Sequence, residues 1–151
     1  MRKFLLFPLF GCLMSTFLHA DEKSQIAEIR KWYAKIEGDK SLVEKSIKTG
    51  EDEESDSTTL TRYTTKTGEL RKLSLQVGGA HGFTSTTYYF MNGQLFFVYD
   101  ASESWRFVGG NDDVAEPKTI DVGHQYRYYF HDGKCISALG KTVQTMEADK
   151  L

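Results

Sequence analysis

The sequence predicts an α+β domain: an N-terminal helix packed on an antiparallel β-meander of about six to seven strands, arranged as three tandem hairpins. Three observations carry this prediction. Apolar residues recur at helical spacing in Glu22–Glu37. From Ser57 onward the composition turns to threonine, tyrosine, phenylalanine and valine punctuated by glycine, the vocabulary of strands and turns. Finally, the phrase YYFMNGQLFFVYD at Tyr88–Asp100 returns forty residues later as YYFHDGKCISALG at Tyr128–Gly140.

The first segment, residues 1–20, reads as a secretory signal peptide. Arg2 and Lys3 precede an apolar run from Phe4 to Leu18, and Ala20 stands before the charged stretch that begins at Asp21. The run is short for a bilayer span and contains Pro8, so the mature chain is expected not to be an integral membrane protein. A lipoprotein signal, with Cys12 as the anchored residue of LFGC, is the alternative. Export to the periplasm or the extracellular space follows from either reading.

Cleavage after Ala20 leaves one domain, residues 21–151, long enough to build its own core. Its 17 basic and 21 acidic residues give a net charge of −4 with no basic stripe, which argues against nucleic acid as a partner. Cys135 is then the single cysteine, so no internal disulfide is available and burial must hold the fold.

In the helix, Ile26, Ile29, Tyr33 and Ile36 form one stripe with Trp32 beside it, and Glu28, Arg30, Lys31 and Lys35 fill the rest. Asp21 or Ser24 suits its start and Gly38 its end. The segment KSLVEKSIKTG fits a helix face or an alternating strand equally well. Glu51–Asp56 is too acidic for a core and is expected to be a solvated loop.

Three stretches then align without gaps, starting at Thr61, Thr86 and Tyr126, each with a tyrosine five residues before a glycine. Their turns are Thr67-Gly68, Asn92-Gly93 and Asp132-Gly133, residue pairs that tolerate the positive φ of a two-residue hairpin. Each copy is therefore one hairpin. The spacings of 25 and 40 residues are too irregular for a solenoid. Gly78–Gly82 is expected to link the first two hairpins, Trp105 and Phe107 to lie on a further short strand, and Gly109–Lys118 to be a loop.

Two-residue turns would oppose Phe90 to Leu95, Tyr89 to Phe96, Tyr88 to Phe97, Thr87 to Val98, Phe130 to Cys135, Tyr129 to Ile136 and Tyr128 to Ser137. Alternation in LSLQV then selects Leu73, Leu75, Tyr89, Phe96, Val98 and Ile136 as the core face beneath the helix, each large side chain contributing roughly 1.5–3 kcal/mol. The opposite face would be aromatic on the last two hairpins. Tyr88, Phe90, Phe97, Tyr99 and Tyr128 are accordingly the candidates for ligand or partner binding. A sheet curled on itself or a homodimer contact would also account for that face.

The sequence names no catalytic, metal or cofactor residues. His81, His124 and His131 lack zinc-ligand spacing, and His131 and Cys135 flank a turn on opposite faces. Val77–Thr87 lacks the lysine of a phosphate loop, and Gly109–Glu116 lacks the alternating ligands of a calcium loop. No serine occupies a nucleophile elbow.

The order KWYAKIE, TTYYFMNGQLFFVYD and YRYYFHDGKCISALG resembles a family of small exported bacterial proteins that pair a Trp-Tyr helix with repeated YYF-x-x-G hairpins. That resemblance, over Lys31–Leu139, implies the fold and export but no activity, cofactor or site. Members of that family continue the last phrase with Leu-Ile-Arg-Trp, whereas this chain has Cys135, Ile136, Ser137 and Ala138. The functional expectation is an exported, non-enzymatic domain that binds a protein, peptide or glycan through an aromatic sheet face. The alternatives are a small hydrolase or metal-dependent enzyme, and a self-associating subunit.

Overall fold

The computed structural model describes residues 14–50, 57–107 and 119–146. Helix α1 (Met14–Gly38) is followed by seven strands: β1 (Val43–Thr49), β2 (Ser57–Thr64), β3 (Leu70–Gly79), β4 (Gly82–Met91), β5 (Gln94–Phe107), β6 (Thr119–His131) and β7 (Lys134–Met146). They form a single sheet in sequence order, each strand antiparallel to the next. The expected helix on a meander is therefore the fold, and the ambiguous segment after the helix is its first strand. The acidic stretch 51–56 and the loop expected at 109–118 lie outside the described residues.

Helix α1 extends further toward the N-terminus than the spacing predicts. Asp21 and Ser24 lie inside it rather than at a cap, and Asp21 accepts a hydrogen bond from Gln25 Nε2 at 3.0 Å. Beyond its last turn, the Asp39 carboxylate accepts from the Ser41 N–H at 2.9 Å and from the Ser41 hydroxyl at 2.7 Å, bonds that lower its pKa.

The Asn92-Gly93 and Asp132-Gly133 turns are two-residue hairpins with positive φ at all four residues. The first repeat differs. Thr65 N–H donates to the Glu69 carbonyl at 2.8 Å, which leaves a three-residue turn, Lys66–Gly68, in place of the expected Thr67-Gly68 pair. The extra turn residue shifts the strand that precedes it by one position. Tyr63, which the gap-free alignment places with Tyr88 and Tyr128, is structurally equivalent to Tyr89 and Tyr129.

Each hairpin also carries a β-bulge three residues after its turn glycine. Phe90 pairs with Leu95 but Tyr89 pairs with Phe97, leaving Phe96 as the additional residue. Phe130 pairs with Cys135 but Tyr129 pairs with Ser137, so Ile136 is its counterpart; in the first hairpin the same place is held by Arg71. A bulge sets two residues against one and breaks the strict alternation of side chains. This overturns the expected oppositions of Tyr89 to Phe96, Tyr88 to Phe97, Thr87 to Val98, Tyr129 to Ile136 and Tyr128 to Ser137. The true partners of Tyr88, Thr87 and Tyr128 are Val98, Tyr99 and Ala138.

The core beneath α1 changes accordingly. Ile29 and Ile36 of the helix bury against Tyr89, Phe96, Phe97 and Tyr129, with Ile26, Trp32, Leu42, Met91, Tyr99 and Ile136 packed around them. Trp32 meets Phe96 edge-on at 5.5 Å, and Tyr33 meets Tyr89 at 5.1 Å and Phe97 at 5.3 Å. Phe96 and Phe97, adjacent in sequence, both reach the helix because of the bulge. Leu73, Leu75 and Val98, expected in this core, lie on the other side of the sheet: Leu73 and Val98 are the direct cross-strand partners of Tyr88. Trp105 and Phe107 do not form a separate strand. They extend β5, paired with β6 as far as Thr119.

One polar anchor ties the helix end to the sheet. Glu37 Oε1 accepts from Lys72 Nζ at 2.8 Å and from the Tyr89 hydroxyl at 2.9 Å. Burial and the adjacent carboxylate raise the pKa of the Tyr89 phenol well above its ordinary value. The Lys72 ammonium also sits 4.8 Å from the Tyr63 ring centre and 5.8 Å from that of Tyr89.

Candidate functional site on the sheet face opposite the helix

Strand alternation and register lay out the face opposite α1 as rows running across the sheet. One row holds Arg62, Leu73, Tyr88, Val98, Tyr128 and Ala138. The next holds Leu60, Leu75, Thr86, Asp100, Tyr126 and Gly140. A third holds Val77, Thr84, Ser102, His124 and Thr142.

The first two rows carry the apolar and aromatic residues of this face, interrupted by Arg62, Thr86 and Asp100. Val98 is buried although α1 lies on the far side, because Tyr88 and Tyr128 flank it on the neighbouring strands. Tyr88, Tyr126 and Tyr128 are half-buried, with the Tyr126 and Tyr128 rings 6.4 Å apart. Gly140 lies directly across from Tyr126, and a Cβ there would overlap the Tyr126 ring. The glycine lets that ring lie flat on the adjacent strand.

The five sequence candidates divide between the two faces. Tyr88 and Tyr128 occupy the face opposite α1, and alternation around the turn places Phe90 with them. Phe97 does not belong there: it is 5% exposed and packs under Tyr33. Tyr99 is on the helix side too, cross-strand from Thr87 and Arg127, with the Arg127 guanidinium 5.4 Å from its ring centre. It borders a groove of about 480 Å³ at the seam between helix and sheet, shared with Arg30, Tyr33 and Leu139. The bulge at Phe96 is the reason for both displacements, since it puts Phe97 and every second residue after it on the helix side.

Of the polar residues of this face, only His124 is weighed individually from the sequence, and only as a zinc ligand. Thr86 donates through its hydroxyl to Asp100 Oδ1 at 2.6 Å. Asp100 Oδ2 lies 2.8 Å from His124 Nε2, and His124 Nδ1 lies 2.8 Å from Ser102 Oγ. The four side chains form one chain of hydrogen bonds across β4, β5 and β6. Asp100 and His124 retain 24% and 29% side-chain exposure, so the chain is reachable from solvent. A carboxylate only accepts, so neutral His124 carries its proton on Nε2. Its Nδ1 then offers a lone pair, and Ser102 must be the donor to it.

A pattern for this arrangement does exist in the sequence. Asp100 and Ser102 are two apart, as are His124 and Tyr126, so each pair shares a face. The signal that was lacking is the register, which brings Ser102 opposite His124 across β5 and β6. Ser102 and His124 also line an open groove of about 460 Å³ with Val77, Thr84, Ser104 and the Gly78–Phe83 turn.

His81 and His131 make local contacts. The His81 ring packs at a tilt against Trp105, 4.4 Å between ring centres, and His131 Nδ1 is 3.3 Å from Asp132 Oδ2 beside the last turn. Cys135 is a free, exposed thiol. Among the described residues, no three His, Cys, Asp or Glu side chains converge as a metal site, and no helix is long and apolar enough to cross a membrane.

No family model, curated protein or solved structure matches the chain.

Proposed function

We propose that this is an exported domain that binds a partner or ligand through the sheet face opposite α1. The observation that supports this reading is the aromatic surface of Tyr88, Tyr126 and Tyr128 around Val98 and Leu73, with the single described helix packed on the other side. Half-exposed tyrosines combine a large apolar area with few rotatable bonds and a polar tip, which suits them to anchoring a peptide or a sugar ring. Export is the reading of the N-terminal sequence, and the resemblance to small exported bacterial proteins accords with it.

Glycan and peptide arrays probed with the labelled protein test the proposal. A bound class should disappear in the Tyr88→Ser/Tyr128→Ser variant while its melting midpoint stays within a few degrees. Retention of that class by a folded double variant would assign binding to another surface. Fractionation of cells producing the protein tests export. Recovery of the full-length chain in the cytoplasm would overturn it.

A further inference from the structure

The Asp100–His124–Ser102 chain has the connectivity of an activated nucleophile, and it lies at the polar end of the face described above. Activation requires a base within hydrogen-bond reach of the hydroxyl and a third group orienting the base. Both distances are 2.8 Å, and Asp100 fixes the tautomer in which His124 Nδ1 can take the Ser102 proton. Thr86 holds the second oxygen of Asp100 at 2.6 Å, which prevents the carboxylate from rotating away. Ser102 opens into the 460 Å³ groove, whose wall includes Val77, an apolar side chain in the same cross-strand row. Thr84, the direct cross-strand neighbour of Ser102, presents a hydroxyl on the same face.

We propose that Ser102 is an acyl-accepting nucleophile for small esters. His124 is its base, Asp100 and Thr86 are positioning residues, and Thr84 donates to the developing oxyanion. The Ser102 Oγ–carbonyl carbon bond forms as the hydroxyl proton passes to His124 Nδ1. The ester C–O bond then breaks, and the alcohol leaves with that proton. Water adds to the acyl carbon, gives a proton to His124 Nδ1, and Ser102 Oγ departs with it, so the cycle needs no further reactant. An ester is the fitting class because an alcohol leaves more readily than an amine from a site with one hydroxyl donor.

The test uses the purified protein with an alkyl fluorophosphonate, read by intact and peptide mass, and with p-nitrophenyl butyrate, read by product release. One adduct on Ser102 is expected, absent from Ser102→Ala. The labelling rate should rise with pH. In His124→Gln it should fall by about 100-fold or more and lose its pH dependence. Asp100→Asn should lower the rate at least about 10-fold and alter the same profile, while circular dichroism confirms that each variant is folded. No adduct on the folded parent, an adduct on another residue, or parental labelling and pH profile in folded His124→Gln or Asp100→Asn would each overturn the proposal. The tyrosine variants that test partner binding leave this chain intact, so the two readings fail separately.

Discussion

The two faces of the sheet use similar residues to different ends. On the helix side, Tyr89, Phe96, Phe97 and Tyr129 lie at 2–5% exposure and meet Ile29, Trp32, Tyr33 and Ile36. On the other side Tyr88, Tyr126 and Tyr128 remain half-exposed and adjoin a row of hydrogen-bonded polar side chains. Residue type does not separate them, since tyrosine alternates between the faces at Tyr88-Tyr89 and again at Tyr128-Tyr129. The difference lies in what the described residues pack against each face: α1 lies over one set of aromatics, and no described helix lies over the other.

The comparison breaks most clearly at Phe97. Phe97→Ala should cost about 3–5 kcal/mol, the range for a buried aromatic that leaves a cavity, while Tyr128→Ala should cost well under half of that. Urea denaturation of the two variants decides, and equal losses would mean that the faces do not differ. Leu75→Ala, on the face opposite α1 and only half-buried, should fall between them at about 1–2 kcal/mol.

The hairpin turns come next. Gly93→Val and Gly133→Val each force a β-branched residue to φ values of 76° and 72°, at about 1–2 kcal/mol apiece. Parental melting of both would disprove the turn geometry on which the bulge positions depend.

A smaller effect sharpens the polar anchor on the helix side. Tyr89→Phe removes the bond to Glu37 and should cost about 1 kcal/mol at neutral pH. Its pH dependence carries the sharper test. Because the folded pKa of Tyr89 is raised, its contribution is complete below the unfolded phenol pKa of about 10 and declines above it. There the unfolded chain has lost a proton that the native state keeps, so stability falls as pH rises. Alkaline denaturation should therefore be shallower in Tyr89→Phe than in the parent, and identical slopes would contradict the buried phenol.

The smallest effect on the fold is expected for Gly140→Ala, whose new Cβ overlaps the inner edge of the Tyr126 ring and requires that half-buried ring to rotate off β7. The substitution should alter the binding proposed for the face opposite α1 while the melting midpoint changes little. A loss of stability comparable to that of Phe97→Ala would show that the Tyr126 ring is structural.

Much of this architecture was legible because it depends on local chemistry. The stripe of Ile26, Ile29 and Ile36 specifies a helix with one buried face, and Asn92-Gly93 and Asp132-Gly133 specify tight turns, since few residue pairs accept positive φ. Repetition of the phrase around those turns was enough to predict an antiparallel meander. Whether Val43–Thr49 was helix or strand was not legible, because its seven residues fit either period and only pairing with β2 settles it.

The faces were decided by tertiary structure. One additional residue at Phe96, Ile136 and Arg71 turns the alternation over, and nothing in the composition of FF, CIS or LRK marks a bulge. From that shift follow the placement of Phe97 and Tyr99 on the helix side and that of Leu73, Leu75 and Val98 on the other. The same holds for the candidate site: Asp100 and His124 are 24 residues apart, and only the register of β5 against β6 brings them within 2.8 Å. Side-chain period and turn chemistry are properties of a few neighbouring residues, whereas register is a property of two strands at once.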